Sequence, residues 1–196
     1  MLCRPVSFKF ESQVNSKVMF SIQIRPAIAS DLPRLMGMDH SVSSEYVWQL
    51  DLRRDSGQIV ATFRDVRLPR PIPLAYPHNP YSLADEWTRK AAVFTAVASS
   101  EPIGYLCLTA HVASVAWITD LVVAPQWRRR GVASALLGAA QEWALGRGHR
   151  RLFLEMQSKN QPAIRLAQKH GYEFCGYNDH YYLTQDVALF FARALK

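Results

Sequence analysis

Residues 121–148 read LVVAPQWRRRGVASALLGAAQEWALGRG, and the order of chemistry within that stretch decides the fold. Leu121 to Val123 close a β-type run, Arg128, Arg129 and Arg130 precede Gly131, and Val132 to Leu145 is rich in alanine and leucine, which cost a helix least. A strand that turns straight into a helix leaves the first N–H groups of that helix unpaired at its positively polarised end. An anion, phosphate above all, binds favourably there. Gly131 permits a backbone conformation or close approach that a Cβ would hinder, Ala133 keeps the next amide uncrowded, and the arginines add to the field. Ser134 can donate to a phosphate oxygen or simply start the helix. The alternative is a basic solvated turn ahead of a core-packed helix; Leu136, Leu137 and Trp143 are expected in the core either way.

Upstream, FSIQIRPA (residues 20–27) alternates as a half-buried strand, and a helix follows with Ser30 as its expected N-cap. Tyr46, Trp48, Leu50 and Leu52 share one face of a period-two pattern, Asp55–Gly57 supply a turn, and residues 58–68 read as the return strand of a hairpin. The segment PRPIPLAYPHNP carries five of the eleven prolines and is expected as an extended surface loop, not a ladder strand. Three β-rich runs, residues 91–98, 102–112 and 114–125, read as an antiparallel meander. Downstream, RLFLEMQ (151–157) closes a strand–helix–strand unit. A second helix, NQPAIRLAQKHG, has Pro162 in its first turn and Gly171 at its C-terminal end, and YEFCGY and VALFFARAL are two further strands.

The chain has 196 residues, 49% hydrophobic and 20% charged, enough for one globular domain with a real core. The net charge of +7 admits nucleic acid, a membrane surface or a phosphate-rich small molecule as partner. Cys3, Cys107 and Cys175 form no CxxC spacing, so no disulfide framework or zinc knuckle is expected, and a reducing, cytoplasmic setting fits. No apolar run approaches the ~20 residues of a bilayer span, so no membrane is expected as a partner. Residues 1–18, which precede Met19 and the first strand, read as a flexible extension, and residues 19–196 as the single domain. No P-loop, three-glycine dinucleotide fingerprint or HExxH spacing is present. His111, His149 and His170 read as surface or turn residues, with no metal site.

RRRGVA, residues 128–133, fits Arg-x-x-Gly-x-Ala and resembles the pyrophosphate-binding signature of the GNAT N-acetyltransferase superfamily. The resemblance continues through LFLEMQSKNQPAIRLAQKHGYEFCG and covers at least Ala91 to Tyr182, closest in pattern to members of the streptothricin acetyltransferase and ribosomal-protein alanine acetyltransferase types. It implies an α+β GNAT fold: a mixed sheet of about six to seven strands, mostly antiparallel with one splayed parallel pair, flanked by helices. It also implies acetyl-CoA as co-substrate and transfer of its acetyl group to a primary amine of a small molecule or peptide by direct attack. Carried over residue by residue, it assigns cofactor binding to Leu121, Val122, Val123, Arg128, Arg129, Arg130, Gly131, Val132, Ala133 and Ser134, and to Asn160 on the pantetheine arm. Asn160 also suits a helix N-cap, and both roles can coexist.

Glu155 stands where such relatives carry a catalytic carboxylate and is the preferred general base, the alternative being a salt bridge to a nearby arginine. Asp120 is the reserve candidate, or an ordinary polar strand residue. An alkylammonium of pKa ~10.4 needs roughly 4–5 kcal/mol to be neutral at pH 7, a peptide α-amine near 7.8 only about 1. Relatives often carry a tyrosine acid in the helix after the asparagine, where this chain has Ala167; Tyr181 and Tyr182 are the substitute candidates, or half-buried packing residues. Asp39, Glu45, Asp51 and Asp85 are available to a cationic acceptor. A homodimer is compatible with the reading. Two other classes stay open: a non-catalytic acetyl-CoA-binding regulatory module, motivated by Ala167, and a nucleic-acid binder, motivated by the charge but lacking a recognised module.

Overall fold

A computed structural model describes residues 6–8, 21–112 and 114–196. In chain order the first elements are β1 (Val6–Phe8), β2 (Ile22–Pro26), α1 (Leu32–Met36), β3 (Val42–Asp55), β4 (Gln58–Leu74) and α2 (Leu83–Glu86). There follow β5 (Ala92–Ala98), β6 (Glu101–Val112), β7 (Val115–Val123), α3 (Val132–Gly146), β8 (Arg151–Gln157), α4 (Gln161–Lys169), β9 (Glu173–Asn178) and β10 (Ala188–Ala194). The main sheet runs β1-β2-β5-β6-β7-β8-β10-β9, and β3 with β4 forms a separate two-stranded sheet. The fold is the expected mixed α+β arrangement. Its eighth strand is β1, which pairs antiparallel with β2; the other residues of the 1–18 extension lie outside the described residues.

The chain divides into two compact units: residues 1–40, 78–154 and 192–196, and residues 41–77 and 155–191. In the first, β5, β6 and β7 form the expected antiparallel meander. β7 is parallel to β8, with partners from Val115↔Arg151 to Ile118↔Leu154, and it continues to Val123 beyond that ladder. Helix α3 forms because it is almost free of β-branched residues after Val132 and buries an alanine-rich face: Ala135, Ala139, Ala140 and Ala144, with Leu136 and Leu137 fully buried. The small residues let the helix lie close to the sheet, and each leucine contributes about 1.5–3 kcal/mol of apolar burial. Trp143 departs from expectation: it is half-buried, stacked on His149 with ring centroids 5.6 Å apart, and Arg147 lies over its ring at 4.8 Å. A flat amphipathic ring at the helix end serves as a lid between core and water.

Ser30 is not the cap of α1. It sits within a 3₁₀ turn, Ala29–Asp31, and Asp31 is the N-cap residue of the helix. The Asp31 carboxylate accepts from Arg25 at 2.6 and 2.8 Å and from the Ile28 amide at 2.9 Å. A bidentate charged pair outweighs a single serine hydroxyl, and it sets where the helix begins.

In the second unit the hairpin is confirmed, with Asp55↔Gln58 flanking the turn and Gly57 at φ 83°. The proline-rich segment is corrected: Pro69, Pro71 and Pro73 lie within β4, and Ser44↔Ile72, Ser43↔Pro73 and Val42↔Leu74 are ladder partners. Three prolines at period two place their missing donors along one edge of the strand. Among the described residues β4 pairs with β3 alone, so its other edge can do without them. Trp48, Phe63, Phe174 and Phe191 form an aromatic cluster with centroids 5.2–6.1 Å apart.

Candidate active site

In the first unit the chain leaves β7 through a 3₁₀ turn, Pro125–Trp127, held by Trp127 N–H to Ala124 carbonyl at 2.8 Å. Arg128 then turns inward: its Nε donates to the Val123 carbonyl at 2.9 Å and its terminal nitrogen to the Asp39 carbonyl at 3.1 Å. This side chain fastens the loop at both sides. Arg129 and Arg130 are exposed, and Arg130 lies 5.3 Å over the Trp127 ring. Two residues of the loop are left-handed, Arg129 at φ 62° and Gly131 at φ 83°. Gly131 is the N-cap residue of α3, has no side chain with which to cap it, and its carbonyl receives the Ala135 N–H at 3.0 Å. Residues of alternating backbone hand are the arrangement that can aim successive N–H groups to one side, and the amides of Val132 and Ala133, at the first turn of α3, have no intrahelical acceptor. A pyrophosphate suits these residues: main-chain donors, a glycine where a Cβ would be strained, and exposed guanidinium charge.

Asp120, one residue before Leu121, is 8% exposed; it accepts from Thr119 Oγ1 at 2.8 Å and stands 3.3 Å from His78 Nδ1. His40 is also buried, its ring nitrogens 2.7 Å from the Met38 carbonyl and 3.1 Å from the Tyr105 hydroxyl. Burial dominates there and lowers the pKa of His40, against the Met38 carbonyl and the carboxylates of Asp120 and Asp39. Neither histidine carries a signal in the sequence, because Asp120 for His78 and Tyr105 for His40 come from remote strands.

Along β8 the expected alternation holds, with Leu152, Leu154 and Met156 buried and Glu155 half-buried on the opposite face. In the second unit Glu155 accepts a hydrogen bond from the Tyr181 hydroxyl at 3.1 Å. Desolvation, then the charge and hydrogen bond of Glu155, raise the pKa of Tyr181, so the phenol stays a protonated donor through neutral pH. Tyr181 is 44% exposed; Tyr182 is 6% exposed and packs edge-on against it with centroids 5.1 Å apart. The two tyrosines therefore differ, one facing solvent beside the carboxylate and one in the core. Asn160 caps α4, its Oδ1 accepting from Ala163 N–H at 3.2 Å. Ala167 is fully buried, so the helix position where relatives carry a tyrosine is a core methyl here.

No local pattern announces Asp186, which is 8% exposed and accepts from Gln157 Nε2 and Thr184 Oγ1, each at 2.9 Å, and pairs with Lys159. Of the four other acidic candidates, Asp39 and Asp85 belong to the first unit and Glu45 and Asp51 to the second, where Asp51 lies 3.5 Å from Arg53. Among the described residues no cluster of three or more His, Cys, Asp or Glu could hold a metal, and no helix is long and apolar enough to cross a membrane.

A mixed sheet in which β7 runs on past its parallel ladder with β8 into a glycine-turned, positively charged helix start defines an α+β fold with a turn suited to an anion. Residues 50–172, more than half of the chain, match the Acetyltransferase (GNAT) family, and the chain belongs to that family. It is 28% identical over 169 residues to a streptothricin acetyltransferase of Streptomyces lavendulae, covering 82% of this chain and 86% of that protein. Its fold is similar to the crystal structure of a nourseothricin acetyltransferase, with a TM-score of 0.74, 23% identity, and coverage of 89% of this chain and 99% of that one. It is also similar to a Bacillus anthracis str. Ames protein, provisionally described as a streptothricin acetyltransferase and solved in complex with acetyl coenzyme A. There the TM-score is 0.69 at 22% identity, over 89% of this chain and 99% of that one.

Proposed function

We propose that the protein transfers the acetyl group of acetyl-CoA to a primary amine of a small, polycationic molecule, by direct attack within a ternary complex. One observation carries this reading: the Arg129–Gly131 turn, left-handed at two residues, opens α3 without a side-chain cap. In a family of acetyltransferases, that is where the diphosphate of the acyl carrier is bound. The amides of Val132, Ala133 and Ser134 hold the phosphates, Arg129 and Arg130 supply charge, and Arg128 keeps the loop in shape through Val123 and Asp39. Leu121, Val122 and Val123 lie past the end of the parallel ladder, where the N–H groups of this segment that face away from β6 meet the thioester carbonyl, and Asn160 holds the pantetheine arm.

Acetyl-CoA supplies an activated acyl group. Glu155 takes the proton that the amine must lose, and Tyr181 orients that carboxylate by donating its hydroxyl hydrogen bond to it. Once Glu155 is protonated, the phenol is released from that bond to give its proton to the leaving thiolate, in place of the tyrosine missing at Ala167, and recovers one from Glu155. A thiol of pKa ~8.5 is already a competent leaving group at neutral pH, so the chain tolerates a core alanine there. Tyr182 acts as packing behind Tyr181. The small-molecule acceptor is supported by the streptothricin acetyltransferase relative, which matches over most of both chains.

The test is a thiol-release assay with acetyl-CoA against streptothricin-type drugs, polyamines, aminoglycosides and peptides with free α-amines. Turnover of a polycationic small molecule, with peptides at least tenfold poorer in kcat/KM, is expected. Turnover of peptides alone would reassign the acceptor. Tight acetyl-CoA binding with no turnover across the panel would leave a regulatory acetyl-CoA-binding module.

A further inference from the structure

Asp186 is buried, and the chemistry above makes no use of it. Its carboxylate gathers three donors: Gln157 Nε2 and Thr184 Oγ1 at 2.9 Å each, and the Lys159 ammonium. Its main chain is engaged as well, since the Asp186 carbonyl accepts from the Tyr181 N–H at 3.2 Å. Gln185 N–H donates to the Tyr182 carbonyl at 2.8 Å, which closes residues 181–186 into a tight turn. The turn is strained, with His180 at φ 52° and Gln185 at φ 61°. Side-chain-bearing residues keep such conformations only where their surroundings over-determine them. The surroundings here are β8 and its continuation: Gln157 and Lys159 hold Asp186, and Ser158 N–H donates to the Val187 carbonyl at 2.9 Å. Glu155 and Gln157 are alternate residues of one strand and project from the same face. The Asp186 anchor is therefore made on the face that carries Glu155.

We propose that Asp186 is the positioning residue of the Glu155–Tyr181 pair, stapling the 181–186 turn to the Gln157–Lys159 segment so that the phenol meets the carboxylate. The proposal rests on the acid–base reading of that pair. Burial by itself would drive the Asp186 carboxyl up, but the hydrogen bonds from Lys159, Thr184 and Gln157 and the charge of Lys159 bring it below its ordinary value. The staple is an anion across neutral pH, and it holds while the amine substrate is processed.

Tyr181 reports on the staple directly. Its phenol can be titrated by NMR in protein labelled with 13C at the tyrosine ring, with its signal among the eight tyrosines assigned by Tyr181→Phe. In the unmodified enzyme Tyr181 titrates above an ordinary tyrosine. In Asp186→Ala it is expected to move back toward the ordinary value, with kcat at least tenfold lower and KM for acetyl-CoA within twofold. Asp186→Asn, which retains an acceptor but loses the charge facing Lys159, should fall between. Should Asp186→Ala fail to fold, Gln157→Met removes a single donor and should shift Tyr181 part of the way in the same direction. A folded Asp186→Ala or Gln157→Met protein whose Tyr181 titrates as in the unmodified enzyme would overturn the proposal. Movement of Tyr181 with unchanged kcat would uphold the positioning role and refute the acid–base reading of the pair.

Discussion

Alanine and aspartate at position 131 separate the stability of the phosphate loop from its affinity for an anion. Gly131 sits at φ 83° and ψ −2° as the N-cap residue of α3. An L-alanine held left-handed costs about 1–2 kcal/mol, and stiffening of the unfolded chain returns roughly 0.4–1 kcal/mol. The net loss is about 1 kcal/mol, or about 2–4 °C in Tm for a chain of this size. Aspartate tolerates the left-handed region better and is a favoured N-cap at a positively polarised helix end, so its stability should stay within about 0.5 kcal/mol of the parent. Affinity for acetyl-CoA runs in the opposite order. A carboxylate about 5 Å from a phosphate, at an effective dielectric near 20, is repelled by roughly 3 kcal/mol, about two orders of magnitude in Kd. Alanine brings no charge, and about 1 kcal/mol of strain limits its effect to less than about tenfold. Thermal melts give the stability order and isothermal calorimetry at fixed ionic strength gives the affinity order. A Gly131→Asp protein that binds acetyl-CoA within threefold of the parent would refute the loop as the phosphate site, whatever its Tm.

Three further outcomes are expected. In Gly104→Ala the new Cβ would stand 2.7 Å from the Val122 carbonyl oxygen and 3.3 Å from the Val123 Cα, both backbone, so β6 and β7 must part. The cost is about 1–3 kcal/mol, and kcat should fall more than acetyl-CoA affinity; melts and kinetics that match the parent would contradict the assignment of Leu121–Val123. For Asp31, burial raises the carboxyl, but the hydrogen bonds from Arg25 and the Ile28 amide and the Arg25 charge outweigh it, so the folded pKa lies below the unfolded value. Its stabilisation is then complete above about pH 4 and fades as pH falls through the folded pKa. Because Arg25 is partly exposed, Asp31→Asn should lose about 2 kcal/mol at pH 7 and little at the acid end, as urea unfolding at the two pH values would show. Glu155→Gln should depress turnover of alkylamines more than of α-amines, since deprotonation costs about 4–5 kcal/mol for the former and about 1 for the latter. Equal losses for both acceptor types, measured at saturating acetyl-CoA, would remove Glu155 as the base.

The glycine turn and the start of α3 were legible because the signals that set them are local, while the Arg128–Asp39 contact that fastens the loop is not. Gly131, Ala133 and the alanine-rich run after them set a turn and a helix start through backbone sterics, and α3 and β8 begin within a residue of where the pattern puts them. Asn160 was legible for the same reason, as a cap acting three residues ahead on Ala163. Ser30 misled because a local signal met a stronger non-local one, the Arg25–Asp31 fork. The prolines of β4 misled because they exclude a central strand, yet a strand paired on one side has an edge where donors are not needed.

Local chemistry along the chain thus settles the strand–helix order, the glycine turn that opens α3 and the family, since those depend on neighbours a few positions away. Which tyrosine meets Glu155, what Arg128 grips, and how Asp186 is held depend on partners brought together by packing. Tyr181 and Tyr182 are adjacent and chemically alike, and strand alternation in β8 says nothing about them. They are told apart by a turn anchored on a buried carboxylate, which places one hydroxyl on Glu155 and the other ring in the core. Hydrogen bonds between residues remote in sequence leave no periodic trace, and for that reason the Glu155–Tyr181 pair becomes visible only once the chain is folded.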